Sequence, residues 1–247
     1  MKKYPIAIQL YSFRESLKAN FKDTMKEIAD LGYDGVEFAF YFGDMEPAEL
    51  ADFMKTIGLK TWAVHVHLLN AADPAYPDYA YAKALGAKTV ICSGKKDSFG
   101  PESLDGMMKQ IRAVKAAAAA NGLDFVYHNH AFEFGKLPDG GYAYDKFVGD
   151  DLNVELDVYW LSKAGVDPVE YIKRYGQRLP LLHLKDRNPE TGSFTELGTG
   201  DVPLKACVEA LEGSICRCLV YEQDICNYPG VQSARVSIEN LKKILGY

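Results

Sequence analysis

Eight times along the chain, a short run rich in β-branched and apolar residues is followed by a segment of helix-forming composition. The runs are Ile6–Leu10, Gly35–Phe38, Lys60–His67, Thr89–Ser93, Asp124–His130, Asn153–Val158, Leu179–Lys185 and Cys218–Gln223. Such alternation is the pattern of parallel strands joined by helical crossovers. Eight units in 247 residues close most simply into an α/β fold, the (β/α)8 TIM barrel, although an open doubly wound sheet shares the same periodicity. Glycines precede several of the next strands, at Gly32, Gly58, Gly86, Gly122, Gly176 and Gly213, where glycine accepts the left-handed conformation that ends a helix. Met25, Ile28, Ala29 and Leu31 form an apolar stripe at helical spacing, and Ala116–Ala120 is a strong helix former closed by Asn121-Gly122. No Ser/Pro-rich linker or block of like charge interrupts the series, so residues 1–247 read as a single domain.

Charge and cysteine usage narrow the classes of function. With 34 acidic against 28 basic residues, the net charge is −6, and no large positive field is present to hold a nucleic acid backbone. Apolar runs are interrupted by Lys, Asp or Gly well before the roughly 20 residues of a membrane span, so neither an anchor nor a signal peptide is expected. The five cysteines, Cys92, Cys207, Cys216, Cys218 and Cys226, are odd in number and lack framework spacing, which fits thiols kept reduced in a cytoplasmic setting. Cys216 and Cys218 read as small residues on one face of a strand rather than as a metal pair.

The chemistry-bearing residues collect at one end of the expected strands. In a barrel of this kind, function lies at the C-terminal strand ends. All five histidines of the chain, His65, His67, His128, His130 and His183, fall on or just beyond a strand run. Alternation of side chains across a strand places His65 with His67, and His128 with His130, on shared faces directed at the barrel mouth. Glu37, Asp157 and Glu222 stand at corresponding heights. An unpaired carboxylate within apolar strands costs several kcal/mol, and a metal ion relieves that cost. Mixed imidazole and carboxylate donors suit Mn²⁺, Co²⁺, Zn²⁺ or Fe²⁺, with Mg²⁺ less favoured; ion pairing with Lys185 or Arg187 would serve any one acid.

Six short motifs, in order, add a resemblance that spans essentially the whole chain. They are Ile8-Gln9-Leu10-Tyr11-Ser12, Leu31-Gly32-Tyr33-Asp34-Gly35-Val36-Glu37, Tyr127-His128-Asn129-His130 with Phe132-Glu133-Phe134, Leu156-Asp157-Val158-Tyr159-Trp160, His183-Leu184-Lys185-Asp186 and Tyr221-Glu222-Gln223-Asp224. Together they resemble the xylose-isomerase-like TIM barrels, often described as sugar phosphate isomerases/epimerases, a family that also includes hydroxy-acid and inosose dehydratases and apurinic endonucleases. The resemblance implies one divalent metal ion per chain (Mn, Co, Zn or Mg) held by residues from strands five to eight. Motif by motif, the last three ligands are Asp157, His183 and Glu222. At strand five, where many members read Glu-Asn-His, this sequence reads His128-Asn129-His130. Either His128 is the fourth ligand, or Glu133 reaches back from the following loop.

The resemblance further implies a divalent-metal-dependent sugar or sugar phosphate isomerase/epimerase, working through an enediolate by proton transfer next to a carbonyl. Glu222, His128, Glu133 and Lys185 are the expected catalytic residues. His65, His67, His130, Trp160, Glu37 and Arg187 are expected to contact substrate, with Trp62, Tyr11 and Phe132 as further candidate walls. Exchange of a carboxylate for His128 removes the paired-carboxylate symmetry of the family epimerases, so a metal-dependent lyase or dehydratase acting on a keto-sugar, keto-glycoside or inosose stands as the alternative. A catalytically inactive sugar-binding barrel is a third reading. The three-metal centre of the apurinic endonucleases requires more ligands than five histidines readily supply. Gly198-Thr199-Gly200, followed by a helix expected to be capped by Asp201, occupies a position where barrels often bind phosphate on backbone N–H groups; a plain tight turn explains it equally. The expected partner is a small-molecule sugar or sugar phosphate, without nucleic acid or membrane, in a chain that can form a homo-oligomer.

Overall fold

In the computed structural model, which describes residues 2–247, eight strands close into a parallel barrel. They are β1 (Ile6–Gln9), β2 (Gly35–Ala39), β3 (Lys60–His65), β4 (Thr89–Ser93), β5 (Asp124–His128), β6 (Asn153–Asp157), β7 (Leu181–Leu184) and, after a short excursion, β10 (Cys218–Tyr221). Each pairs with its sequence neighbour, and β10 pairs with both β7 and β1 to complete the ring. All eight expected runs therefore form strands: six are trimmed at their ends, Thr89–Ser93 keeps its bounds, and the second run extends by one residue to Ala39. The excursion was not foreseen: β8 (Asp186–Arg187) and β9 (Phe194–Thr195) form an antiparallel hairpin above β7. Its turn is built by Asn188, whose side-chain oxygen accepts from the N–H groups of Glu190 and Thr191.

Helices cover the barrel because their apolar residues recur at helical spacing. In the helix Leu104–Ala120, Met107, Ile111, Val114 and Ala118 are buried, and the helix stops at Asn121 before Gly122, which has φ +71°. Five of the six glycines expected to end helices have positive φ; Gly176 does not, with φ −51°. There the chain passes directly from the helix Pro168–Tyr175 into a 3-10 turn, so no left-handed residue is needed. Among the described residues, no helix is long and apolar enough to cross a membrane.

The barrel interior is layered. Ala7, Ala63, Ile91, Val126, Leu181, Cys218 and Val220 form a closed apolar plug. Because a strand repeats its facing every two residues, the next inward positions along these strands are Gln9, His65, Ser93, His128, His183 and Glu222. The plug thus acts as a floor, and the polar side chains stand upon it. Trp62 packs against this plug, beside Gly35 at the start of β2, and its ring lies under the Lys60 ammonium. It belongs to the opposite end of the barrel from the mouth and forms no wall there.

Candidate metal centre

His128, Asp157, His183 and Glu222 each bring one ligand atom within 4.8 Å of the others at the strand ends, all four buried. This is the donor set implied by the resemblance with His128 in fourth place. Glu133 is turned elsewhere: it accepts from the Tyr127 hydroxyl at 2.8 Å and the His130 N–H at 2.9 Å. Asp157 is fixed by its neighbours. Its N–H donates to Asn129 Oδ1, and its Oδ1 accepts from the N–H groups of Tyr159 and Trp160, capping the helix Val158–Lys163. Its other oxygen, Oδ2, is buried with no aligned hydrogen bond, although the Lys185 ammonium stands 3.1 Å away. Mixed N and O donors with such an unfilled carboxylate oxygen fit a divalent cation.

A second tier of acids lies beneath, and it includes Glu155, which the sequence reading passed over. Register pairs Glu155 with Leu181 of β7 and His128 of β5, level with the apolar plug. The two shared imidazoles separate the tiers. His183 directs Nδ1 up to Glu222 (3.1 Å) and Nε2 down to Glu37 (3.0 Å) and Glu155 (3.2 Å). His128 places Nδ1 at 3.0 Å from Glu155, while its Nε2 lies 3.8 Å from Asp157. Glu37 is sealed below the mouth, accepting from Gln9 and within 2.7 Å of His65 Nε2. It is therefore out of reach of a ligand in the recess, contrary to the expectation that it touches substrate.

Burial and charge divide the protons. Burial would raise Glu37, yet His183 and His65 hold it at about 2. Burial would lower His65, but Glu37 keeps it at about 9, and Glu155 and Glu37 likewise keep His183 well above the usual imidazole range. His128 is driven well below that range by burial and its imidazole neighbours, so it carries a free lone pair. Lys185, buried among Asp157, Glu222 and Asp224, holds its proton firmly against desolvation. Glu222 stays ionised despite burial because of Lys185 and His183. Burial lifts Glu133 to about 7 and, against the pull of Lys185, Asp224 also to about 7.

Above the centre opens a recess of about 500 Å³ whose lining includes Tyr11, His65, His128, His130, Trp160, Lys185, Glu222 and Asp224. Of the sequence-predicted contacts, His65, His130 and Trp160 face it. Phe132 does not line it but stacks on His130. His67 lies beyond the end of β3, where alternation no longer governs its direction; it is exposed and stacks on Phe40 instead. Arg187 is tied into a bidentate pair with Asp201 and does not line the recess. That pairing also removes Asp201 from the capping role expected of it, and the next helix, Leu204–Glu209, starts after Pro203. A separate cleft of about 430 Å³ by Lys2, Tyr4 and Glu212 lies away from all these groups.

The Gly198–Gly200 turn has its donors occupied from within. The N–H groups of Gly198, Gly200 and Val202 all donate to the Asp186 carboxylate. A Cβ at Gly200 would fall 2.3 Å from both Arg187 O and Asp186 Oδ1. Gly200→Ala is expected to lower stability by about 1–3 kcal/mol, measured by chemical denaturation; an unchanged midpoint would show the turn to be slack.

The chain matches the xylose isomerase-like TIM barrel family over residues 25–244 and belongs to that family. Among curated relatives, an inosose dehydratase of Clostridium botulinum (strain Alaska E43 / Type E3) is 23% identical over 239 residues, covering 77% of this chain and 77% of the relative. Among solved structures, a sugar phosphate isomerase/epimerase from Parabacteroides distasonis ATCC 8503 aligns with a TM-score of 0.79 at 20% identity, over 96% of this chain and 97% of that one. The IOLI protein with a binding zinc atom aligns with a TM-score of 0.75 at 14% identity, over 98% of each chain. At these identities the structural likeness speaks to the fold.

Proposed function

We propose that this protein is a divalent-metal-dependent enzyme that isomerises or epimerises a sugar by moving a proton next to a carbonyl. The observation that carries this reading is the convergence of His128, Asp157, His183 and Glu222 at the floor of a recess with aromatic walls. A Mn, Co, Zn or Mg ion held by these four residues supplies Lewis acidity that lowers the pKa of the C–H next to a bound carbonyl. Lys185 keeps its ammonium beside that position and offsets negative charge developing on the substrate oxygen. Glu222 and Asp224 present carboxylates to accept the proton, and His130, whose pKa burial and Lys185 depress to about 3, offers a neutral imidazole to hydroxyl groups. Trp160 and Tyr11 supply apolar faces against the ring. Because the Gly198–Gly200 donors are spent on Asp186, the reading favours an unphosphorylated substrate.

A second reading, a lyase or dehydratase on a keto-sugar, keto-glycoside or inosose, is favoured by one observation. The donor set has an imidazole, His128, where paired carboxylates would serve proton transfer on both faces of an enediolate. The inosose dehydratase relatives point the same way. Product analysis with metal-loaded protein and a panel of keto-sugars and inososes separates the readings. Isomerisation conserves mass and moves the carbonyl, whereas elimination loses water or an alcohol and creates an absorbing enone. Sugar binding without turnover would favour the inactive barrel.

A further inference from the structure

A second recess of about 400 Å³ adjoins the first and shares two of its walls, Phe40 and Ser93. Phe40 follows the last residue of β2 and is held at φ +61°, the left-handed region that bulky side chains rarely adopt. Such a conformation persists only where surrounding structure enforces it, and it concentrates at functional positions. Here it sets the Phe40 ring against His67, with centroids 4.2 Å apart and planes 22° from parallel. The two rings form a slab at the mouth. Phe40 remains 37% exposed and Leu69 66% exposed, while Asn70 and Lys95 contribute polar side chains to the same recess.

An aromatic slab offers a face to the C–H side of a sugar ring, and an amide and an ammonium nearby serve its hydroxyls. We propose that this recess is a second sugar subsite, so that the substrate is a glycosidically linked pair of rings with one ring over the metal centre and the other on Phe40 and His67. This rests on the larger recess being the substrate site. It also gives a role to His67, which lies outside that larger recess.

The test is calorimetric titration of the metal-loaded protein with glucose and with its disaccharides maltose, cellobiose and trehalose. At least one disaccharide is expected to bind about tenfold or more tightly than glucose. That ratio should collapse towards one in His67→Ala and in Phe40→Gly, the latter keeping the backbone conformation because glycine accepts positive φ. Equal affinities for glucose and every disaccharide, or a ratio that survives in both variants, would overturn the proposal. Stronger binding of phenyl glucoside than of any disaccharide would also overturn it, in favour of an aromatic second unit. Metal content measured on the same samples keeps the two readings apart. Protein that takes up metal yet shows no disaccharide advantage contradicts the second subsite alone; protein that takes up none yet prefers disaccharides contradicts the metal centre alone.

Discussion

His183→Ala is expected to weaken divalent-metal binding by more than about 100-fold, beyond the 10–100-fold typical of losing an outer partner. The residue is fully buried and stands between the two acid tiers, with Glu222 above and Glu37 and Glu155 below. Its loss also removes a cationic neighbour that those carboxylates share in the metal-free protein, leaving Lys185 beside Glu222 and His65 beside Glu37. The cost therefore stays below the figure for a fully broken buried pair, about 3–5 kcal/mol. Chelator competition reads the first effect and chemical denaturation the second. A pH dependence accompanies them. Glu155 and Glu37 hold the His183 proton well above the usual imidazole range, and a ligating imidazole nitrogen must be free of its proton. Metal affinity of the wild-type protein is therefore expected to rise with pH through neutrality, by about tenfold per unit for one proton released. Wild-type metal affinity in His183→Ala, or affinity independent of pH, would contradict this role.

Glu155→Gln should lower metal affinity by about 10–100-fold while preserving the fold. Glu155 Oε2 lies 3.0 Å from His128 Nδ1 and 3.2 Å from His183 Nε2, the ring nitrogens opposite those that approach Asp157 and Glu222. A carboxylate there orients both rings and holds the one proton of each neutral imidazole on its lower nitrogen, so that the upper nitrogen of His128, and that of His183 once its extra proton has left, presents a lone pair. Glutamine keeps the volume but offers one neutral oxygen in place of a charged pair. Glu133→Gln serves as the comparison, because Glu133 faces Tyr127 and the His130 N–H. Equal affinities in wild type and Glu155→Gln, measured by the same competition, would show that the lower tier does not support the upper one.

The barrel was legible because strand and helix periods differ and alternate eight times. The upper donors were legible because each sits at a strand end next to a recognisable motif. Glu155 was readable too, since it stands two residues before Asp157 and shares its facing; only the register against Leu181 shows how deep it lies. His67 was misplaced because β3 ends at His65 and alternation ends with it. Partners distant in sequence were invisible: Arg187 is claimed by Asp201 and the Gly198–Gly200 donors by Asp186. Asp224 reaches the recess by way of Lys185, a contact that no local pattern announces. Trp62 lies near the start of its strand, a position that already assigns it to the closed end.

The most direct test of the metal centre is elemental analysis of purified, tag-free protein before and after chelation and readdition of Mn²⁺, Co²⁺ or Zn²⁺, alongside Asp157→Ala. About one ion per wild-type chain, lost on chelation, regained on readdition and absent from the variant, is the predicted result. A wild-type protein that holds no ion and takes up none, or a variant that retains a full complement, would contradict it.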